Sequence, residues 1–188
     1  MQPPFRFMHA ADLHLDSPFR GLSKVPYAVR ERLKNSTLNA LDRLVDTVLR
    51  EELDFVVLSG DLYDAADRSL RAQLRMQRAM GRLAEAGAQV FVVHGNHDPS
   101  GGRSARLDWP ANVHVFGTEE VGCAPAYTRG GELAANVYGI SYREAAVKDN
   151  LALRYRVREG APFTSPSCTA TSTGCKGTTT MRPASWRS

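Results

Sequence analysis

Apolar residues in the first hundred positions fall into two alternating textures. Phe5 to Ala11 (broken by Arg6), Phe55-Val56-Val57-Leu58 and Val90-Phe91-Val92-Val93 are short apolar runs, and the last two are continuous. Runs of this length read as strands, and continuity marks a strand buried on both faces. Between them the apolar positions recur every three or four residues. Leu41, Leu44, Val45, Val48 and Leu49 form one stripe, predicting a helix within 27–51. A second helical segment spans 68–86 and stops at Gly87, a residue suited to terminate a helix.

The order β-α-β-α-β predicts an α/β fold built on a parallel sheet with right-handed crossovers. Past residue 98 the pattern loosens. Ser100 to Arg103 reads as a loop, Val113 to Phe116 and Val137 to Ile140 as strands, and Arg143 to Arg156 as helical. No internal repeat is present. His9 and His94 fall within strand-like runs and read as core histidines with satisfied rings.

Composition adds little to this picture. With 43% apolar and 23% charged residues, the 188-residue chain is an ordinary globular sequence. It has no run of the length a membrane helix needs and no secretion signal at its N-terminus, so a cytoplasmic protein with no membrane partner is expected. Three cysteines with no ligand-type spacing fit a reducing compartment. The net charge of +4 invites comparison with nucleic-acid binders, but Lys176, Arg182 and Arg187 in the last 25 residues supply three of those charges. The body is nearly neutral. Arg68, Arg71, Arg75, Arg78 and Arg82 share one helical face, which could track a phosphate backbone. A solvated face opposite Leu70, Leu74 and Leu83 is the preferred reading.

The chemistry lies at the strand ends. Each of the three strands runs into a polar cluster: Asp12-Leu13-His14, Ser59-Gly60-Asp61 and Gly95-Asn96-His97-Asp98. Ligands of open α/β sheets bind beyond the carboxyl ends of strands. Residues i and i+2 of an extended segment point to one side, so Asp12 and His14 can grip one cation. The carboxylate of Asp61 can bridge two, and Asn96 offers a neutral oxygen to the second. Oxygen and imidazole donors without thiolate suit Mn²⁺, Fe²⁺ or Zn²⁺. His97, beside a ligand and next to Asp98, is placed to serve a leaving group as proton donor. Asp16 and Asp64 flank the motifs and read as supporting or turn residues.

The ordered set DLHL…GDLYD…GNHD resembles the calcineurin-like metallophosphoesterases. The flanks FMHAADLHLDSPFRGL, DFVVLSGDLYD and VFVVHGNHDP, with VYGISYREAAVKDNLA, resemble the SbcD/YhaO-type bacterial DNA-repair exonucleases over residues 5–163. The resemblance implies layered sheets, a β-sandwich flanked by helices, and manganese-dependent nuclease chemistry on DNA. It also implies an ABC-type coiled-coil ATPase as partner. By position it implies Asp12, His14 and Asp61 at the first metal, Asp61 and Asn96 at the second, and His97 as catalytic histidine oriented by Asp98. The family's later histidines have no counterpart after His114, which leaves the sandwich truncated and the second metal short of ligands.

From Thr164 the texture changes. Residues 164–188 hold seven of the chain's eleven threonines and no Leu, Ile or Val. As written this is a disordered tail. Read one base earlier, Thr codons become Tyr, His, Asn or Asp codons, and the segment permits an apolar strand ending in Leu-His-Gly-Asn followed by a Gly-His-Asp motif. The expectation is a metallophosphoesterase domain in residues 1–163, its N-terminal part only, followed by an out-of-frame tail. Two rival readings stay open: a calcineurin-like phosphatase acting on a small phosphomonoester or phosphoprotein, and an inactive remnant or pseudoenzyme.

Overall fold

The computed structural model of the chain describes residues 3–18, 26–64, 69–100, 108–147 and 149–155. Strands β1 (Phe7–Ala11), β2 (Phe55–Ser59), β3 (Gln89–Val93) and β4 (Val113–Val115) form one parallel sheet in the order β1-β2-β3-β4. Helix α1 (Tyr27–Lys34) and helix α2 (Ser36–Arg50) connect β1 to β2, and α3 (Leu70–Glu85) connects β2 to β3. A second, antiparallel sheet pairs β5 (Gly122–Tyr127) with β6 (Leu133–Gly139). The fold is mixed α/β.

The continuous apolar runs are explained by what lies on each face of the parallel sheet. Val56, Leu58, Val90 and Val92 pack against Leu41, Val45 and Val48 of α2 and Met76, Met80 and Leu83 of α3. The alternate residues Phe55, Val57, Phe91 and Val93 face the other way, onto Phe116 and Ala124, Ala126, Ala134 and Val137 of the small sheet. The layers are therefore helix, sheet, sheet. Full burial of each such aliphatic side chain stabilises by about 1.5–3 kcal/mol.

The second sheet covers β1 poorly. Phe7 is 41% exposed, stacked on Phe55 at 5.1 Å between ring centroids, and β1 has no further strand beyond it among the described residues. His9 is correspondingly exposed, held by Ser59 at 3.0 Å, and is not a core histidine.

Three further expectations differ from the structure. The first helix is two, divided at Asn35, where the Ser36 hydroxyl donates to the Leu33 carbonyl. Residues 143–147 and 149–155 form no α-helix, only the 3₁₀ turn Leu151–Arg154, because they lack a sustained apolar stripe. The buried face of α3 is Ala72, Gln73, Met76, Ala79, Met80 and Leu83, whereas Leu70 and Leu74 are exposed.

Three arginines of the stripe meet α2 or the residue before it, while Arg78 is exposed with no ion pair among the described residues. Arg75 forms a two-pronged pair with Asp42, Arg82 pairs with Asp46 at 2.7 Å, and Arg71 bonds Asn35. Arg68 and the 164–188 segment lie outside the described residues. No helix among the described residues is long and apolar enough to cross a membrane.

Candidate metal centre

Equal register along β1, β2 and β3 brings their carboxyl ends level, with Ala11 beside Ser59 and Ser59 beside Val93. The pairing continues into the loops. Gly60 donates its N–H to Val93 (2.8 Å), His14 to the Asp61 carbonyl (2.9 Å) and Leu15 to the Leu62 carbonyl (2.9 Å). Leu15 and Leu62 are fully buried and anchor both loops beside their polar residues.

Within this frame Asp12, His14 and Asp16 all take positive φ (53°, 41° and 60°), as does Asp61 (47°). Such backbone costs on the order of 1–3 kcal/mol per residue and persists only where surroundings enforce it. Here the lateral hydrogen bonds enforce it. A fourth comes from α2, where the Thr37 hydroxyl accepts the Asp16 N–H at 3.0 Å. The Asp16 carboxylate accepts from Ser69 (2.6 Å) and pairs with Arg71 (3.5 Å), fastening the loop to the start of α3.

The arrangement gathers Asp12, His14 and Asp61 so that one ligand atom of each lies within 4.8 Å of the others. Asp61 is 1% exposed, and its Oδ1 accepts the backbone N–H of His97 at 2.9 Å. The Gly95-Asn96-His97-Asp98 turn is thereby pressed onto Asp61. The Oδ1 of Asn96 is buried with no hydrogen-bond partner among the described residues. A buried amide oxygen in that state carries a desolvation penalty that a cation would relieve. The donor set and this orphaned oxygen both fit divalent metal. Asp12, His14 and Asp61 are brought together, though from positive-φ backbone and not from an extended segment, and Asn96 sits on the turn that the His97 N–H fastens to Asp61.

The partner of His97 differs from the expected one. Asp98 is 0% exposed and is consumed by its own turn: it accepts from Gly95 N–H (2.7 Å) and Leu62 N–H (3.1 Å) and meets His94 Nδ1 at 3.2 Å. Asp64 takes the place assigned to it. Its Oδ1 lies 3.0 Å from His97 Nδ1 and 2.9 Å from His14 Nδ1. Each bond calls for a proton on Nδ1 and leaves Nε2 with a free lone pair. Partial burial raises the Asp64 pKa, but the nearby Ser17 hydroxyl (just outside hydrogen-bond geometry) and the bonds from His14 and His97 outweigh it. The carboxyl is held below its ordinary value. The signal in the sequence is the carboxylate three residues after Asp61, whose reach across to two other loops only the fold reveals. The same fold groups His14, Asp64 and His97 within 4.8 Å of one another.

The sequence profile of the calcineurin-like phosphoesterases matches residues 5–158. The chain is 45% identical over 157 residues to the uncharacterised metallophosphoesterase YhaO of Bacillus subtilis, covering 84% of this chain and 38% of that protein. It is 29% identical over 102 residues to the DNA double-strand break repair protein Mre11 of Aeropyrum pernix, covering 54% of this chain and 23% of the relative. A solved nuclease, MPE of Pseudomonas putida, aligns with a TM-score of 0.37 and 22% identity over 59% of this chain and 47% of that one. The chain thus spans well under half the length of the two sequence relatives. With the family profile matched from the first strand to the 3₁₀ turn, over motifs that meet at the ends of three adjacent strands, the chain belongs to the calcineurin-like phosphoesterase family.

Proposed function

We propose that the chain is the N-terminal portion of a metal-dependent phosphodiesterase of DNA-exonuclease type. The observation that carries this reading is the convergence of Asp12, His14 and Asp61 within 4.8 Å, with the Asn96 oxygen buried on the adjoining turn and without a hydrogen-bond partner among the described residues. The Mre11 relative, by its name a DNA break repair protein, favours DNA as substrate.

In this reading Asp12, His14 and Asp61 hold one divalent ion and Asp61 and Asn96 a second, with manganese foremost. Bound there, two cations supply Lewis-acid activation of a water and neutralise charge on the phosphate. His97, 45% exposed at its side chain, presents Nε2 to the leaving oxygen and acts as proton donor when that nitrogen also carries a proton, the ring then being an imidazolium paired through Nδ1 with Asp64. In the His14 ring the bond to Asp64 keeps the proton on Nδ1 and the Nε2 lone pair toward the metal site. Asp98 serves catalysis at one remove, by shaping the turn that carries Asn96 and His97. Residues 1–163 form the domain portion and 164–188 an out-of-frame tail. The protein works in the cytoplasm, with an ABC-type coiled-coil ATPase as partner.

The test is hydrolysis of bis(p-nitrophenyl) phosphate, p-nitrophenyl phosphate and a labelled oligonucleotide with Mn²⁺, by the 188-residue chain and by a frame-restored protein. The restored protein is expected to cleave the two diesters in preference to the monoester. The 188-residue chain is expected to bind metal weakly and turn over poorly. A restored protein that prefers the monoester would point to a phosphatase instead.

A further inference from the structure

Arg32 of α1 and Arg43 of α2 stand apart from Arg71, Arg75 and Arg82 of α3. Arg71, Arg75 and Arg82 are engaged by Asp16, Asp42 and Asp46. Arg32 and Arg43 are exposed and make no ion pair among the described residues. Both line one cleft of about 640 Å³ at the elbow where the first helix breaks, together with Val29, Leu33, Asn35 and Asn39. That volume is in the usual range for a ligand site of about 300–1,000 Å³. No acidic side chain is among the described residues that line it, and apolar and amide groups alternate with the two free guanidinium groups.

The cleft is also fixed relative to the metal-site loops. Asn35, on its wall, accepts a hydrogen bond from Arg71, whose other partner is Asp16, two residues beyond His14. A charged cleft braced to that loop can hold one part of a long substrate while another part occupies the strand ends.

We propose that this cleft binds nucleotides of a nucleic-acid strand, Arg32 and Arg43 meeting backbone phosphates while Val29 and Leu33 contact a sugar or base. The proposal rests on the phosphodiesterase reading for its choice of substrate. Its chemistry is independent of the metals: unpaired guanidinium groups release counterions from a phosphate backbone, and the aliphatic side chains accept a base face.

The experiment uses the full chain in EDTA, so that binding is read without hydrolysis, and a fluorescent single-stranded oligonucleotide titrated over a range of salt. Neutralising both arginines in the Arg32→Gln/Arg43→Gln variant is expected to weaken binding. It should flatten the dependence of log affinity on log salt by about 0.7 for each lost phosphate contact. Arg78→Gln, an exposed arginine of α3 with no ion pair among the described residues, should leave both quantities unchanged. Circular dichroism establishes that each variant folds. Wild-type affinity and slope in the double variant would overturn the proposal, as would an equal loss with Arg78→Gln. So would equal wild-type binding of heparin with the same slope change, which would mark a general polyanion face. Because no metal is present, failure of diester hydrolysis leaves this outcome readable on its own.

Discussion

Gly95 lies against Asp61 so closely that a Cβ on the glycine would sit 2.2 Å from the carboxylate Oδ1 and 2.5 Å from the amide nitrogen. Neither atom can yield cheaply, since one belongs to a backbone at positive φ and the other to a buried group already bonded to His97. Gly95→Ala should therefore lower stability by about 1–3 kcal/mol, the range for overpacking. It should also weaken metal binding by displacing Asp61. Urea denaturation and metal titration would check both, and an alanine variant equal to wild type in both would contradict the close packing.

Asp61 and His97 should separate cleanly by substitution in a frame-restored protein. Asp61 is touched by His97 through the backbone N–H, which His97→Ala retains. That variant should keep near-normal metal content by elemental analysis and lose about 10²–10⁴ in rate, the usual range for an acid–base group. Asp61→Asn should lose metal and rate together. If His97→Ala strips the ions as thoroughly, His97 is a ligand, and the role given to it fails.

Asp64 and Asp98 should fail in different ways. Asp64→Asn replaces the charged acceptor that orients His14 and His97 by a weaker neutral amide oxygen, so metal affinity should fall by up to about 10–100-fold, the range for groups that orient a ligand. Folding stability should change little, because Asp64 is partly exposed. Asp98→Ala leaves the Gly95 and Leu62 amides unsatisfied in a buried turn, which costs about 1–3 kcal/mol for each such group. Chemical denaturation should rank Asp98→Ala well below Asp64→Asn. The reverse order would show that Asp98 does not hold the turn.

The composition beyond Thr164 predicts a one-base insertion or deletion near that codon. Sequencing the gene there should reveal a shifted frame that encodes an apolar strand ending in Leu-His-Gly-Asn. Immediate stop codons in that frame, or an unrelated segment, would count against it.

What could be read from the sequence follows a physical division. Strands β2 and β3 were legible because Val, Phe and Leu runs buried on both faces cannot be mistaken for turns, whereas β1, half exposed, was legible from the short apolar run ahead of its polar cluster. Strand β5, Gly122–Tyr127, was not, because Gly-Cys-Ala-Pro-Ala-Tyr offers small residues and a proline in place of β-branched ones. Its burial comes from Ala124 and Ala126 fitting under Phe116, a tertiary effect. The break at Asn35 leaves no trace in the apolar period; its one local signal is the run Asn35-Ser36-Thr37, whose side chains compete for backbone groups, as the Ser36 hydroxyl does for the Leu33 carbonyl. The site residues were visible as types and spacings. Their pairings were not: a sequence neighbour, Asp98, turns inward, while Asp64, 33 residues away from His97, reaches it.

The uncovered face of β1 has a practical consequence for anyone handling this polypeptide. Phe5, Phe7 and Phe55 form a triangle of rings, centroids 5.1 to 6.3 Å apart, beside a strand whose outer edge has no described neighbour. An unpaired edge with adjacent exposed aromatic surface is a template for adding a strand from another molecule. Concentrated solutions of the isolated chain should cloud or form oligomers, and a charged residue in place of Phe7 should delay this by blunting the template.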